Sequence, residues 1–262
     1  FKKGKIGWKS AFSHEKECAR AGYYSVLLER YNIFAEATVS ERTGMLRFTY
    51  PENSDARAIF NFSRRIGGHA DFEHIDIISD SRIEGSIKCT PAGGGFGRGD
   101  GKIFYNFYFV CEFSIPAQKM QFFAKEKYAE SDIKSFENED AGMIVHFGNN
   151  LSQPVVIRCG ISYTDMEGAR NNLSSECKTF DFDSVKKNAF DKWEKVFEGV
   201  DVNGSDETDL KLFYTCLYHT LLDPRFVADV DGRFLLNSKV KQNSFYTHRT
   251  VFSGWDVYRS EF

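Results

Sequence analysis

The stretch Lys102-Ile103-Phe104-Tyr105-Asn106-Phe107-Tyr108-Phe109-Val110-Cys111-Glu112-Phe113 decides how this chain is read. It is dense in aromatic and β-branched side chains, holds neither Gly nor Pro, and follows directly on a glycine-rich run. Those properties predict a long, half-buried strand. Working outward, shorter runs of the same kind precede it: Val26–Leu28, Phe34–Val39, Arg47–Tyr50, Ala58–Phe62, Ile75–Ile78 and Arg82–Ile87. Met120–Ala124, Gly142–Phe147 and Val155–Tyr163 follow it. The breakers Pro51-Glu52-Asn53, Ile66-Gly67-Gly68 and Asn149-Asn150 fall where hairpin turns are needed. Many strands with no helical segment between them predict an antiparallel β-sandwich over residues 1–165.

After residue 165 the period changes. Val185, Ala189, Trp193 and Val196 share one face of a helix, with Lys186, Lys187, Asp191 and Lys192 mostly off it. Leu210, Phe213, Tyr214, Leu217 and Leu221 mark a second helix, ended by Pro224. The polar segment Gly199–Asp206 links the two. The expected organisation is a sandwich at 1–165, a helical linker at 166–205 and the start of a second, helical domain at 206–262.

The chain has 262 residues, a net charge of −3 and 27% charged residues, values ordinary for a globular protein. They give no electrostatic reason to expect nucleic acid as a partner. No run approaches the ~18 apolar residues of a membrane helix. The start, Phe1-Lys2-Lys3-Gly4-Lys5, lacks both an initiating Met and an apolar signal region. Together with the abrupt end, this suggests an excised piece of a longer protein, so the missing signal says nothing about secretion. The 26 Phe, 12 Tyr and 3 Trp suit large sheet cores, and such rings also stack on sugars. Six cysteines lie far apart with no C-x-x-C pair, and Cys111 reads as a small buried hydrophobe. Asn61, Asn150, Asn172 and Asn203 each begin an N-x-Ser sequon.

Several motifs suit an ordinary structural role as well as a functional one. Gly93-Gly94-Gly95-Phe96-Gly97-Arg98-Gly99 lacks the following helix of a phosphate loop and reads as a hairpin or inter-domain loop. Asp229-Val230-Asp231-Gly232 departs from an EF-hand because Arg233 stands at a ligand position, leaving a tight turn capped by Asx side chains. Ser253-Gly254-Trp255-Asp256 matches a helix capping box, while Asp256 and Arg259, one helical turn apart, can also hold vicinal sugar hydroxyls. Trp255 is a core residue or a stacking platform. His219 is expected in the core and His248 near a cleft mouth, and neither has a nucleophile or metal-ligand partner at a telling spacing.

Three C-terminal stretches resemble the entry to the catalytic domain of glycoside hydrolase family 92, the calcium-dependent exo-α-mannosidases. They are Phe213-Tyr214-Thr215-Cys216-Leu217-Tyr218-His219-Thr220-Leu221-Leu222, Asp229–Arg233 and Phe252–Phe262. Phe12–Glu15, Gly22–Val26, Glu41–Gly44, Gly93–Gly97, Ile161–Tyr163 and Ala169–Leu173 resemble segments of the family's N-terminal domain and of its exit. The resemblance implies an N-terminal β-sandwich, a helical linker and the first part of an (α/α)6 barrel. It implies a parent enzyme that removes terminal mannose from glycans with inversion, α-1,2 linkages foremost, outside the cytoplasm: periplasmic, cell-surface or secreted. Inversion needs a general acid and a general base on opposite faces of the bond. The resemblance puts both, and the calcium ligands, downstream of Phe262. Asp256 matches the family aspartate that holds mannose hydroxyls, and Trp255 and Arg259 match its neighbours. The chain itself is expected to be inactive without the missing catalytic domain. Two rival readings are a carbohydrate-binding sandwich module and another glycosidase or phosphorylase of sandwich-plus-barrel architecture.

Overall fold

The computed structural model describes residues 9–64, 69–90, 105–125, 127–204, 206–222 and 224–250. A short 3-10 turn at His14–Lys16 leads into β1 (Glu17–Arg20), β2 (Tyr23–Leu28), β3 (Ile33–Val39), β4 (Thr43–Thr49) and β5 (Asp55–Asn61). Next come β6 (His69–Ser79), β7 (Arg82–Thr90), β8 (Tyr105–Phe113), β9 (Lys119–Ala124) and β10 (Lys127–Tyr128). The sandwich closes with β11 (Ser135–Asn138), β12 (Ala141–Asn149) and β13 (Val155–Ser162). Helices α1 (Met166–Glu176), α2 (Phe182–Phe197) and α3 (Glu207–Thr220) follow, then the hairpin β14 (Arg233–Leu236) and β15 (Lys239–Gln242).

Among the described residues the first thirteen strands form two antiparallel sheets. One has nine strands in the order β1-β2-β3-β4-β13-β8-β7-β6-β11, the other four in the order β10-β9-β12-β5. The last strand, β13, thus enters the centre of the large sheet between β4 and β8. Asn53 and Asn150 take left-handed backbone angles (φ 56° and 57°) at two of the predicted turns. Asn tolerates that conformation better than most residues.

Alternation along the central strands feeds two cores. Phe109, Cys111, Phe113, Ile157 and Val155 point between the sheets, where they meet Phe122, Met143, Val145 and Phe147 of the small sheet. Val110 and Val156 point the other way, with Met45, and are covered by Ala169 and Leu173 of α1 and by Phe182 and Val185 of α2. The period-two pattern therefore has no solvent face at the middle of the large sheet, which explains the near-continuous apolar run of β8.

α1 lies within the helical linker expected at 166–205, but no apolar periodicity marks it. Its residues, Met-Glu-Gly-Ala-Arg-Asn-Asn-Leu-Ser-Ser-Glu, are mediocre helix formers with a weak apolar stripe. The helix forms because Asp165 caps it, accepting from Gly168 N at 2.7 Å, and because Ala169 and Leu173 are buried against the sheet. α2 takes the expected face over its first three positions, with Val185 and Ala189 buried and Trp193 packed on Phe197 and on Tyr218 of α3 at 5.7 and 4.8 Å between ring centres, while the fourth, Val196, is exposed. His219 corrects an expectation. It lies exposed in the last turn of α3, a helix with no buried residue, and not in a core.

Candidate functional site

Asp256, Trp255 and Arg259 lie outside the described residues, as does the glycine-rich run Gly93–Gly99. What the structure describes is the platform from which residues 251–262 continue. It is built where the sandwich, α1 and the segment 225–250 meet.

The Asp229-Val230-Asp231-Gly232 turn is the centre of that platform. Gly232 N–H donates to Asp229 O at 2.9 Å and Gly232 takes φ +80°, so the tight turn forms as predicted. Asp231 caps it, accepting from Arg233 N at 3.1 Å and from Arg233 Nε at 2.7 Å. Asp229 does something the local sequence does not announce. Its side chain is buried and accepts from Ser162 Oγ at the end of β13 (2.9 Å) and from Asn172 Nδ2 in α1 (2.8 Å). Asn172 Oδ1 in turn accepts from Val230 N–H at 2.8 Å. Burial pushes the Asp229 carboxyl above the usual range, and the Asn172 and Ser162 bonds oppose that rise. Asn172 itself is fully buried, so its sequon cannot serve as a glycan acceptor.

Gly168 is the seat on which Asp229 rests. A Cβ built there would lie 2.2 Å from Asp229 Oδ2 and 2.5 Å from Ser162 Oγ. Only a residue without a side chain lets the carboxylate come so close to the first turn of α1. That turn is also the positive end of the helix dipole.

Three arginines complete the junction. Arg42, in the turn before β4, donates Nε to Ala228 O at 2.5 Å and Nη1 to Glu176 Oε1 at 2.7 Å. Its backbone N–H reaches Glu176 Oε2 at 2.9 Å, and Ser40 Oγ donates to the same oxygen. Arg233 Nη1 reaches Asp165 Oδ2, the α1 cap, at 2.7 Å. Phe226 is held between the Arg42 and Arg249 guanidinium groups, 5.2 and 3.9 Å from its ring centre.

The segment entering residue 251 is pinned in the same place. Phe226 and Arg249 form an antiparallel bridge. Thr250 N–H donates to Arg225 O, and Arg225 N–H donates to Thr250 Oγ1, both at 2.8 Å. His248, expected near a cleft mouth, stacks on Phe234 at 4.2 Å between ring centres, and its carbonyl accepts from Val227 and Ala228. A cleft of ≈360 Å³ opens beside it, lined in part by Arg42, Asp231, Asn243, Phe245 and Tyr246. Among the described residues no three His, Cys, Asp or Glu side chains gather into a group able to hold a metal ion.

A nine-plus-four-stranded sandwich, hydrogen-bonded through its last strand to a helical region, defines a two-part architecture with the junction as its organising feature. Comparison with known families says which one. The profile of the Glycosyl hydrolase family 92 N-terminal domain matches residues 1–162, and that of the family 92 catalytic domain matches residues 168–262. The chain belongs to glycosyl hydrolase family 92.

Solved structures agree. The family GH92 alpha-mannosidase BT3965 from Bacteroides thetaiotaomicron is 28% identical, with a TM-score of 0.84 over 95% of this chain and 33% of its own. The inverting GH92 mannosidase BT2199 from the same organism is 21% identical, with a TM-score of 0.81 over 95% of this chain and 32% of its own. The family glycosyl hydrolase ccman5 is 20% identical with a TM-score of 0.80. At their identities the last two bear on the fold alone. This chain thus spans about a third of the length of the family 92 structures it matches. No curated protein matches it.

Proposed function

We propose that this chain supplies the N-terminal sandwich and the opening of the catalytic domain of an inverting exo-α-mannosidase that removes terminal mannose from glycans. The observation that carries this reading is the likeness to an α-mannosidase over 95% of the chain at 28% identity. In this reading residues 1–165 are the sandwich, 166–205 the linker and 206–262 the start of an (α/α)6 barrel. Asp256 holds hydroxyls of the terminal mannose by charge-assisted hydrogen bonds, Arg259 shares that task, and Trp255 offers a ring face to the sugar. The bracing of residues 225–250 against the sandwich supports this assignment, since binding groups work only when held to within about 0.5 Å of their geometry.

The general acid, the general base and the calcium ligands belong to sequence beyond Phe262. The preferred substrate is α-1,2-linked mannose, and the place of action is the periplasm, the cell surface or the medium.

The test follows mannose release from α-1,2-mannobiose by proton NMR, using the polypeptide continued beyond Phe262. The reading expects β-mannose as the first product, with loss of activity in chelator and recovery with calcium. α-Mannose as the first product, or no release from any mannobiose, would overturn it.

A further inference from the structure

β8 and β13 place two of the six cysteines opposite one another: Cys111 pairs in register with Cys159. Both are free thiols, their sulfurs 2.8 Å apart. The backbone ladder says what kind of pair this is. Ser114 N–H donates to Val156 O at 2.8 Å, which makes Ser114 and Val156 a hydrogen-bonded position at the strand end. Alternation then makes Phe113–Ile157 non-hydrogen-bonded, Glu112–Arg158 hydrogen-bonded, and Cys111–Cys159 non-hydrogen-bonded again.

In such a position Cα atoms approach to about 4.5 Å and side chains come closest. Disulfides span Cα separations of about 4.4–6.8 Å, so the backbone already lies within reach. Closing the sulfurs to a bond length of about 2.05 Å needs a movement under about 1 Å. The register is also held. Arg158 pairs with Glu112 at 2.5 Å on the opposite face of the same two strands, and a one-residue slip would turn that pair inward.

We propose that Cys111 and Cys159 are a modification site, oxidised to a cross-strand disulfide by a small-molecule or protein-borne disulfide. Cys111 is buried and Cys159 half-buried at the edge of the same core, so Cys159 is the less enclosed of the two. The Cys159 thiolate attacks one sulfur of the oxidant, forming a mixed disulfide and expelling one thiolate. Cys111 loses its proton and attacks the Cys159 sulfur, and the second oxidant thiolate leaves. Two protein thiols thereby give up two protons and two electrons, and the oxidant disulfide becomes two thiols. The Cys159 contact and burial both push the Cys111 thiol up, which slows exchange in the folded state. The bond therefore forms as β13 docks between β4 and β8, and it closes the central seam of the large sheet.

The test refolds the chain in a mixture of oxidised and reduced glutathione, alkylates it in denaturant, and maps the peptides by mass spectrometry. The expected product is a peptide pair joined through Cys111 and Cys159, about 2 Da lighter than the two thiol peptides. Cys18, Cys89, Cys177 and Cys216 should be alkylated. Full alkylation of Cys111 and Cys159, or bridges scattered among all six cysteines, overturns the proposal. A second readout uses the thermal midpoint of the oxidised chain, expected to fall by several degrees on adding a phosphine reductant. The Cys111→Ala, Cys159→Ala double variant should lose that response. A wild-type midpoint unmoved by reductant also overturns the proposal.

Discussion

Glu73 offers a sharp perturbation because it is a carboxylate sealed between the two sheets. Its side chain is fully buried in β6 and accepts from Ala141 N–H of β12 at 2.7 Å, while Oε1 has no partner. Burial raises its pKa from the ordinary 4.5 to about 7; the Ala141 bond opposes the rise, and the nearby Asp140 and Glu139 charges add to it. The sign follows from linkage. The folded pKa lies above the unfolded one, so the unfolded chain releases this proton first. Stability is then lost as pH rises from about 4.5 to about 7, and the loss is complete above that. At about 1.4 kcal/mol per unit, ionisation costs at most about 3 kcal/mol.

Glu73→Gln keeps the shape and the acceptor and removes the charge. Urea unfolding of the chain and the variant between pH 4.5 and 8 should give curves that diverge with pH. The variant should gain up to about 3 kcal/mol on the parent at pH 8 and little at pH 4.5. Titration of the neighbouring His74 is common to both proteins and cancels. Parallel curves would refute the reasoning, because they would mean that Glu73 is solvated or neutralised in a way the geometry does not contain.

Other perturbations test the junction and the sheet anchors. Asp229→Ala leaves the buried Ser162 hydroxyl without its acceptor and should cost about 1–3 kcal/mol. Hydrogen exchange should rise in residues 225–250 while β12 and β13 stay protected. Gly168→Ala drives a methyl into the Asp229 carboxylate and should destabilise by about 1–3 kcal/mol in urea, with the same exchange pattern. Glu84, buried in β7, holds Arg170 of α1 at 2.5 Å and Arg82 at 2.5 Å. Burial raises its carboxyl, but the two arginines outweigh that and hold it below the usual range. The stability it contributes is therefore present above about pH 4.5 and lost as pH falls below it. Arg170 is half exposed, so Glu84→Gln should cost only about 1–2 kcal/mol at pH 7 and flatten the acid limb of the stability curve. The 262-residue chain alone should release no mannose in an overnight assay with calcium.

The β-to-α change was legible because it is a change of period, and period survives without tertiary context. Val185, Ala189 and Trp193 of α2 lie on the face their spacing predicts, and Cys111 is the small buried hydrophobe its alternation suggests. α1 falls within the expected helical linker but was not legible from periodicity, since Gly168, Asn171 and Asn172 disfavour a helix that the Asp165 cap and packing on β13 support. Asp229 read as a turn residue, which it is, but its burial depends on Ser162 and Asn172, 67 and 57 positions earlier. No local signal carries that. Ser162 and Asn172 both lay within stretches that resembled the family, so the resemblance marked the right neighbourhood without its chemistry. The proposed sugar contacts of Asp256, Trp255 and Arg259 stand on that resemblance and on the bracing of the segment before them.

The most direct test of the account follows mannose release from α-1,2-mannobiose by the polypeptide continued past Phe262, with and without Asp256→Ala. The account predicts release by the parent and a loss of about a hundredfold or more in the variant, the cost of a charge-assisted contact made to the sugar. The variant's urea midpoint should stay unchanged. Release undiminished by Asp256→Ala would contradict the placement of Asp256 at the sugar. No release by the parent from any mannobiose would contradict the mannosidase reading itself.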